Sequence, residues 1–277
     1  MKRVLVVLAA CAGRAGASDE SRKLLVEANA ALRAGKVQDA VGLAEKAAKV
    51  DPKDSDAPLV AGFAYSAARE HEKAVKAFTA SLALDPKQVR VNDRRGDAYL
   101  KLGKFKEAIA DFDVFLDANP KFAPEHWRRG IALYYAGRFA DGVKQFDIHR
   151  TVNPEDVENS AWHYLCNARA NTPKKAREDL IPVTKDTRVP MSQVLQLFGG
   201  KLKPQDVIDA AEKSGKKGDE LTSARFYAHL YVALYYDAEG DAKKVLEHLT
   251  EAVEKHKIGD YMWDVGAAHL AVLKAKK

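Results

Sequence analysis

Small, apolar and turn-forming residues recur at a fixed interval along the first 156 residues of the chain. A proline that follows Asp or Asn recurs every thirty-four residues. Three other positions recur at the same interval: one holds glycine, one holds alanine or glycine, and one holds phenylalanine. The recurring residues are Pro52, Pro86, Pro120 and Pro154; Gly62, Gly96 and Gly130; Ala40, Ala74, Ala108 and Gly142; and Phe78, Phe112 and Phe146. Several residue types in one register indicate an internal repeat.

Each recurring position suits a pair of antiparallel helices. A glycine inside a helix costs about 1 kcal/mol relative to alanine, so Gly130 and its equivalents indicate that a neighbouring helix approaches closely there. Proline lacks an amide hydrogen and clashes with the preceding turn, so each recurring proline is expected to end the second helix. The phenylalanines are expected to fill the space between one pair and the next. Gly35, Gly103 and Gly137 are expected to make the turn within a pair.

This pattern resembles the tetratricopeptide repeat, a helix pair of thirty-four residues. The resemblance implies an all-α fold, a solenoid of antiparallel helix pairs in a right-handed superhelix. Four repeats are predicted, at 21–54, 55–88, 89–122 and 123–156. The first two depart from the pattern most, with Leu59 and Ala61 near Pro58 and with Arg69 where the turn glycine is expected.

The repeat register ends after Glu158. Residues 157–222 contain several prolines within a short span and are predicted to form an irregular segment of short helices separated by turns. Residues 223–277 are predicted to form one more repeat-like hairpin that turns at Gly240. An amphipathic helix then closes the end of the solenoid.

The N-terminal residues 1–17 resemble a bacterial secretory signal, with a basic start and an apolar run too short to span a bilayer. LAAC at 8–11 resembles a lipobox, in which Cys11 becomes the lipidated first residue. AGA at 15–17 instead offers a standard cleavage site that releases a soluble chain from Ser18, and an uncleaved cytosolic start is a third interpretation. The lipobox is favoured because a leucine and two alanines directly precede the cysteine. The protein is therefore expected in the bacterial cell envelope, as a membrane-anchored lipoprotein or in the periplasm.

Four further segments carry a closer resemblance. They are RRGIALYYAGR at 128–138, SAWHYL at 160–165, LFGGKLKPQDVIDAAEK at 197–213 and LYVALYYDAEGD at 230–241. Over roughly residues 89–273 the chain resembles the NlpI family of bacterial envelope lipoproteins. The resemblance implies a non-enzymatic protein that tends to dimerise. It also implies an adaptor for periplasmic peptidoglycan enzymes and a processing protease.

Composition and motifs argue against other classes of function. The 277-residue chain has a formal net charge of +6. Basic and acidic residues alternate along the predicted helices, as on solvated helix faces, so no nucleic-acid partner is predicted. The sequence contains no HExxH, GxSxG, Walker-type or GxGxxG motif, so neither an enzyme nor a cofactor is predicted. His149, His163 and Cys166 lack the short spacing of zinc ligands and are interpreted as helix-packing side chains, so no metal is predicted.

The repeat resemblance also implies a concave groove lined by the first helix of each pair. The residues predicted to face it are Arg90, Arg94, Asp97, Trp127, Arg128, Ile131, Tyr134 and Tyr135. Aromatic faces beside arginines suit an extended peptide segment of another protein. The alternative is that Arg94 and Arg128 pair with neighbouring acidic residues and that Tyr135 belongs to the core.

The sequence therefore predicts a non-enzymatic scaffold that binds peptide segments of partner proteins, with homodimerisation left open. The alternative is a soluble co-chaperone or assembly factor built from the same repeats. A chaperone-type carboxylate clamp is not predicted, because Leu25 and Val60 stand where it needs a lysine and an asparagine.

Overall fold

Fifteen α-helices form most of residues 18–275, the part of the chain that the computed structural model describes, and no strand occurs in that part. The predicted signal and Cys11 lie outside the described residues. The helices of the repeat region are α1 (Asp19–Arg33), α2 (Val37–Val50), α3 (Asp56–Ala67), α4 (His71–Leu84), α5 (Val89–Lys101), α6 (Phe105–Ala118), α7 (Trp127–Tyr135) and α8 (Phe139–His149), with a 3₁₀ segment at Pro120–Glu125. The later helices are α9 (Val157–Ala170), α10 (Pro173–Glu178), α11 (Met191–Phe198), α12 (Pro204–Glu212), α13 (Gly218–Glu239), α14 (Ala242–Thr250) and α15 (Tyr261–Ala275).

The second helix of each predicted pair begins at a constant interval. These helices, α2, α4, α6 and α8, begin at Val37, His71, Phe105 and Phe139, thirty-four residues apart. Two of them end at Val50 and Leu84, directly before the Asp-Pro dipeptides expected to stop them. The predicted all-α fold of stacked helix pairs is confirmed.

The turn inside each pair uses a residue with left-handed backbone geometry. Gly35, Gly103 and Gly137 have φ angles of +73°, +71° and +76°. Arg69 occupies the same position in the second pair and has a φ of +61°. In this left-handed region, a residue with a Cβ has a conformational free energy about 1–2 kcal/mol less favourable. The second pair therefore keeps the turn geometry at a cost.

Glycines inside the first helices make room for the recurring phenylalanines. A Cβ on Gly130 would lie 2.6 Å from the ring of Phe146, and one on Gly62 would overlap the ring of Phe78. Each of these phenylalanines belongs to the same helix pair as its glycine. The rings therefore fill the space within a pair, which corrects the expectation that they lie between neighbouring pairs.

The described residues divide into two compact units, and the first contains those from Ser18 to Leu102 together with Ala110–Ala118. Its core consists mainly of alanine, leucine and valine side chains around Phe78, which has no exposed surface. Nε and Nη2 of Arg95 donate to the two carboxylate oxygens of Asp111 at 2.8 and 2.7 Å. This bidentate pair holds α5 against the part of α6 that belongs to the same unit.

The second unit contains Gly103–Ile109 and the described residues from Asn119 onward. Almost every residue of α9 is buried, as expected for a helix surrounded by others. α13 ends at Gly240, whose φ of +83° makes the turn into α14 as predicted. None of the described helices combines the length and apolarity needed to cross a membrane. The segment boundaries predicted at residues 156 and 222 stay predictions.

Candidate peptide-binding site

The first unit holds three of the residues predicted to face a peptide groove. Arg90 is exposed. The carboxylate of Asp97 pairs with Nζ of Lys101 at 2.9 Å. Nε of Arg94 lies 3.8 Å from a carboxylate oxygen of Asp93, and its guanidinium lies 5.9 Å from the centre of the Phe63 ring. Arg94 therefore lies beside an acidic residue, as in the alternative interpretation, and Asp97 pairs with a lysine of its own helix.

The second unit buries Tyr134, which corrects the prediction that it lines an open groove, whereas Tyr135 is half-buried. Tyr134 is 3% exposed and donates a hydrogen bond to the carboxylate of Asp237. The ring of Tyr135 stacks on Phe105, and its hydroxyl lies 3.3 Å from Nδ1 of His269. Burial raises the pKa of both tyrosines well above the usual value. The groove prediction assumes that this face of α7 is open to solvent, whereas α13 and α15 of the same unit pack against it.

A cavity of about 270 Å³ lies beside α7 in the second unit. Its lining residues are Trp127, Ile131, Phe146, His149, Asn153, Asp156, Glu158, Asn159, Trp162, Tyr227, Tyr261 and Met262. Two predicted groove residues, Trp127 and Ile131, thus contribute to one pocket, although Ile131 is only 1% exposed. Arg128, the neighbour of Trp127 on α7, is half-buried and is not among the lining residues.

Aromatic rings frame this cavity. The rings of Trp127 and Tyr261 meet edge to face, with centroids 4.9 Å apart. Trp127, Tyr227 and Tyr261 are only half-buried, so these rings border the part of the cavity that opens to the surface. Aromatic side chains of this kind supply large contact areas at binding sites.

Two buried polar side chains in the cavity wall have no hydrogen-bond partner within residues 18–275. They are Asn159, whose amide nitrogen and oxygen are both unbonded, and Trp162, whose indole Nε1 is unbonded. Both side chains are almost completely buried. Buried polar groups in native proteins are nearly always paired, so exceptions need an explanation.

Charged residues form another part of the cavity wall. Glu158 accepts hydrogen bonds from the hydroxyl of Tyr231 at 2.9 Å and from Nη1 of Arg188 at 3.3 Å. Nη2 of Arg188 also donates to Asp156 at 3.0 Å and to Asp186 at 2.6 Å. Burial, followed by the charge of Asp156, raises the pKa of Glu158 despite these donors. This part of the wall therefore carries more acidic than basic groups.

Sequence reasoning found Trp127 and Ile131 but missed Asn159 and Trp162. Both missed residues lie on α9, which follows the last predicted repeat, so the thirty-four-residue register gave no reason to select them. The SAWHYL segment at 160–165, which contains Trp162, indicated a family resemblance and no particular chemistry. The only sequence signal was a tryptophan and an asparagine within a short helical stretch.

The three residues rejected as metal ligands have packing roles. Nδ1 of His149 lies 2.7 Å from the carbonyl oxygen of Pro124, and Nε2 of His163 lies 3.4 Å from Asp147. Cys166 is buried against Gly142, and burial raises the pKa of its thiol. This arrangement agrees with the interpretation of these residues as helix-packing side chains.

Stacked helix pairs joined by left-handed turns define this chain as a helical-repeat protein. The tetratricopeptide repeat family model matches residues 25–89, 59–123 and 94–147. Residues 25–147 are therefore an array of tetratricopeptide repeats. Arrays of this type bind other proteins and are typically non-catalytic scaffolds.

Solved structures with the same fold extend beyond the matched repeats. A tetratricopeptide repeat protein from Parabacteroides merdae ATCC 43184 is 16% identical, with 93% of this chain and 100% of that chain covered and a TM-score of 0.60. MamA 41-end from Desulfovibrio magneticus RS-1 is 21% identical, with 58% and 92% covered and a TM-score of 0.54. No curated protein matches the sequence. At these identities the likeness concerns the fold.

Proposed function

We propose that this chain is a non-enzymatic interaction scaffold that binds a peptide segment of a partner protein, with the cavity beside Trp127 as the anchor point. One observation carries the proposal: the amide of Asn159 is buried in the cavity wall and has neither its donor nor its acceptor satisfied within the described chain. A peptide backbone offers the complementary N–H and C=O groups. The unbonded indole N–H of Trp162 supplies a second donor.

The cavity has a volume of about 270 Å³, which accommodates one bulky side chain. Trp127 and Tyr261 provide apolar contact area at the opening, whereas Asp156 and Glu158 favour an N–H-bearing or basic group. The expected ligand is a peptide with an apolar anchor residue next to a basic residue.

The test is a peptide selection on the intact protein followed by affinity measurements. Peptides selected from a displayed random library should bind Asn159→Leu at least about tenfold more weakly, a loss of about 1.4 kcal/mol. Lys76→Glu, which changes an exposed residue of α4 outside the predicted groove, is the control and should bind as well as the unchanged protein. Equal binding to Asn159→Leu and to the unchanged protein would place the site elsewhere.

The more specific role that we propose is an adaptor of the bacterial cell envelope, anchored by lipid at Cys11. The lipobox-like LAAC segment and the four segments resembling the NlpI family support this role. The partners would then be peptidoglycan enzymes or a protease. Palmitate labelling that is lost in Cys11→Ser is the expected result, and absence of label from the unchanged protein would remove the anchor. Affinity capture from the native envelope should recover envelope enzymes; recovery of cytosolic proteins alone would contradict the adaptor role.

A further inference from the structure

Three of the eight histidines in the sequence come together in the C-terminal hairpin, away from the cavity. His229 lies on α13 and His248 lies on α14. His256 directly follows the π-helical turn Glu251–Lys255, which continues α14; α14 and this turn together are called the α14 segment. The Nδ1 atoms of His229 and His248 are 3.1 Å apart, and the ring centroids of His229 and His256 are 5.7 Å apart. All three side chains are partly accessible to solvent.

A π-helical turn at Glu251–Lys255 brings a carboxylate to the same place. The hydrogen bonds of a π-helix join residues five positions apart, and single π-turns are frequent at functional sites. Glu251 and His256 are five residues apart, so this turn places them above one another, whereas an α-helix would rotate them to different faces. Oε1 of Glu251 lies 3.9 Å from Nε2 of His256. The other oxygen, Oε2, is held by Nζ of Lys255 at 2.8 Å.

These side chains have the composition and spacing of a metal site. One ligand atom each from His229, Glu251 and His256 lie within 4.8 Å of one another. In a tetrahedral zinc site with bonds of about 2.0–2.1 Å, the ligand atoms are about 3.3 Å apart, so the closure needed is small. Two imidazoles and one carboxylate suit zinc and similar divalent transition metals, whereas magnesium and calcium prefer oxygen ligands alone.

We propose that His229, Glu251 and His256 bind a zinc-class divalent metal ion, with His248 as a positioning residue for His229. The 3.1 Å contact with His248 occupies Nδ1 of His229 and leaves Nε2 for the ion. Metal-binding histidines commonly use their second nitrogen in this way, which fixes the tautomer and the ring orientation. The ion would join α13 to the end of the α14 segment. It would therefore stabilise the last hairpin of the chain.

Calorimetric titration of Zn²⁺ into tag-free, chelator-treated full-length protein tests the proposal. We expect one saturable site, with His256→Gln and Glu251→Gln weakening binding by more than about 100-fold and His248→Gln by about 10–100-fold. Glu247→Gln, an exposed glutamate on α14 one turn before Glu251, is the matched control and should bind Zn²⁺ unchanged. Absence of saturable binding, or equal binding by His256→Gln and the unchanged protein, would overturn the proposal.

A second measurement covers the case in which a ligand variant does not fold, as judged by circular dichroism without metal. Zn²⁺ at a hundredfold excess over its Kd should raise the Tm of the unchanged protein by about 5–10 °C. Hydrogen exchange should then slow in α13 and in the α14 segment, not in α1–α4. An unchanged Tm, or protection spread evenly over the chain, would contradict a site at this hairpin.

Discussion

At the scale of single residues, Asn159 and Asn167 form a natural pair for comparison because both lie on α9 and both are 3% exposed. Asn159 has no hydrogen-bond partner within residues 18–275. Nδ2 of Asn167 donates to Asp179 at 3.1 Å, and its Oδ1 accepts from Asn171 at 2.7 Å. The two asparagines therefore have similar burial but different bonding: Asn167 joins helices, whereas both polar atoms of the Asn159 amide are unbonded.

We expect leucine substitutions at these two positions to affect stability differently. Asn167→Leu removes two hydrogen bonds and should lower the free energy of unfolding by about 1–3 kcal/mol. Asn159→Leu removes none within the described chain, so its free energy of unfolding should stay equal or rise by about 1 kcal/mol. Urea denaturation followed by circular dichroism measures both. Equal destabilisation by the two substitutions would mean that Asn159 is bonded within the fold.

Two glycines provide an equivalent contrast in packing. Gly130 faces the ring of Phe146 and has no room for a Cβ. Gly42 lies on an exposed face of α2, where an added Cβ would meet no atom of another part of the chain within 4 Å. Gly130→Ala should destabilise by about 1–3 kcal/mol through overpacking. Gly42→Ala should stabilise by about 1 kcal/mol through helix propensity. Thermal unfolding of both variants checks the signs, and a shared sign would show that the close approach at Gly130 is not the reason for its glycine.

At the scale of elements, the turn between α3 and α4 is the least favourable of the four repeat turns, because Arg69 adopts a left-handed backbone. Arg69→Gly should raise the free energy of unfolding by about 1 kcal/mol through removal of that strain. The reciprocal change, Gly137→Ala, should lower it by about 1 kcal/mol, since a Cβ there meets no atom within 4 Å and only the backbone is affected. Chemical denaturation of both variants tests this, and destabilisation by Arg69→Gly would mean that the arginine side chain outweighs its backbone strain.

The helix pairs could be predicted from the sequence because their signals are local. Proline ends a helix and glycine permits a left-handed turn wherever they occur, so a thirty-four-residue register fixes both ends of each element. The burial of Tyr134 could not be predicted in this way. Its hydroxyl binds Asp237, which is 103 positions later in the chain. The histidine cluster could not be predicted either, because it depends on the pairing of α13 with α14 and on a π-helical turn that no residue pattern predicts.

At the scale of the whole molecule, the charge composition bears on nucleic-acid binding. The sequence contains 45 Lys and Arg residues and 39 Asp and Glu residues, which leaves a net charge of +6. Many of these charges pair with neighbours three or four positions away on one helix, such as Arg22 with Asp19 and Lys101 with Asp97. Such pairs contribute little to stability. Because acidic residues lie next to the basic ones, few cationic side chains are available to neutralise the phosphates of a nucleic acid.

Nucleic-acid binding should therefore be weak and lost at moderate salt. Affinity for a 30-base-pair duplex falls steeply with salt in proportion to the number of phosphates neutralised. We expect detectable binding at about 20 mM salt, none at about 150 mM, and a slope of log K against log salt of about −1 to −2. Fluorescence anisotropy of a labelled duplex measures this slope. A slope near −6 with micromolar binding at about 150 mM would reveal a continuous basic surface, and the partner would then be a nucleic acid instead of a peptide.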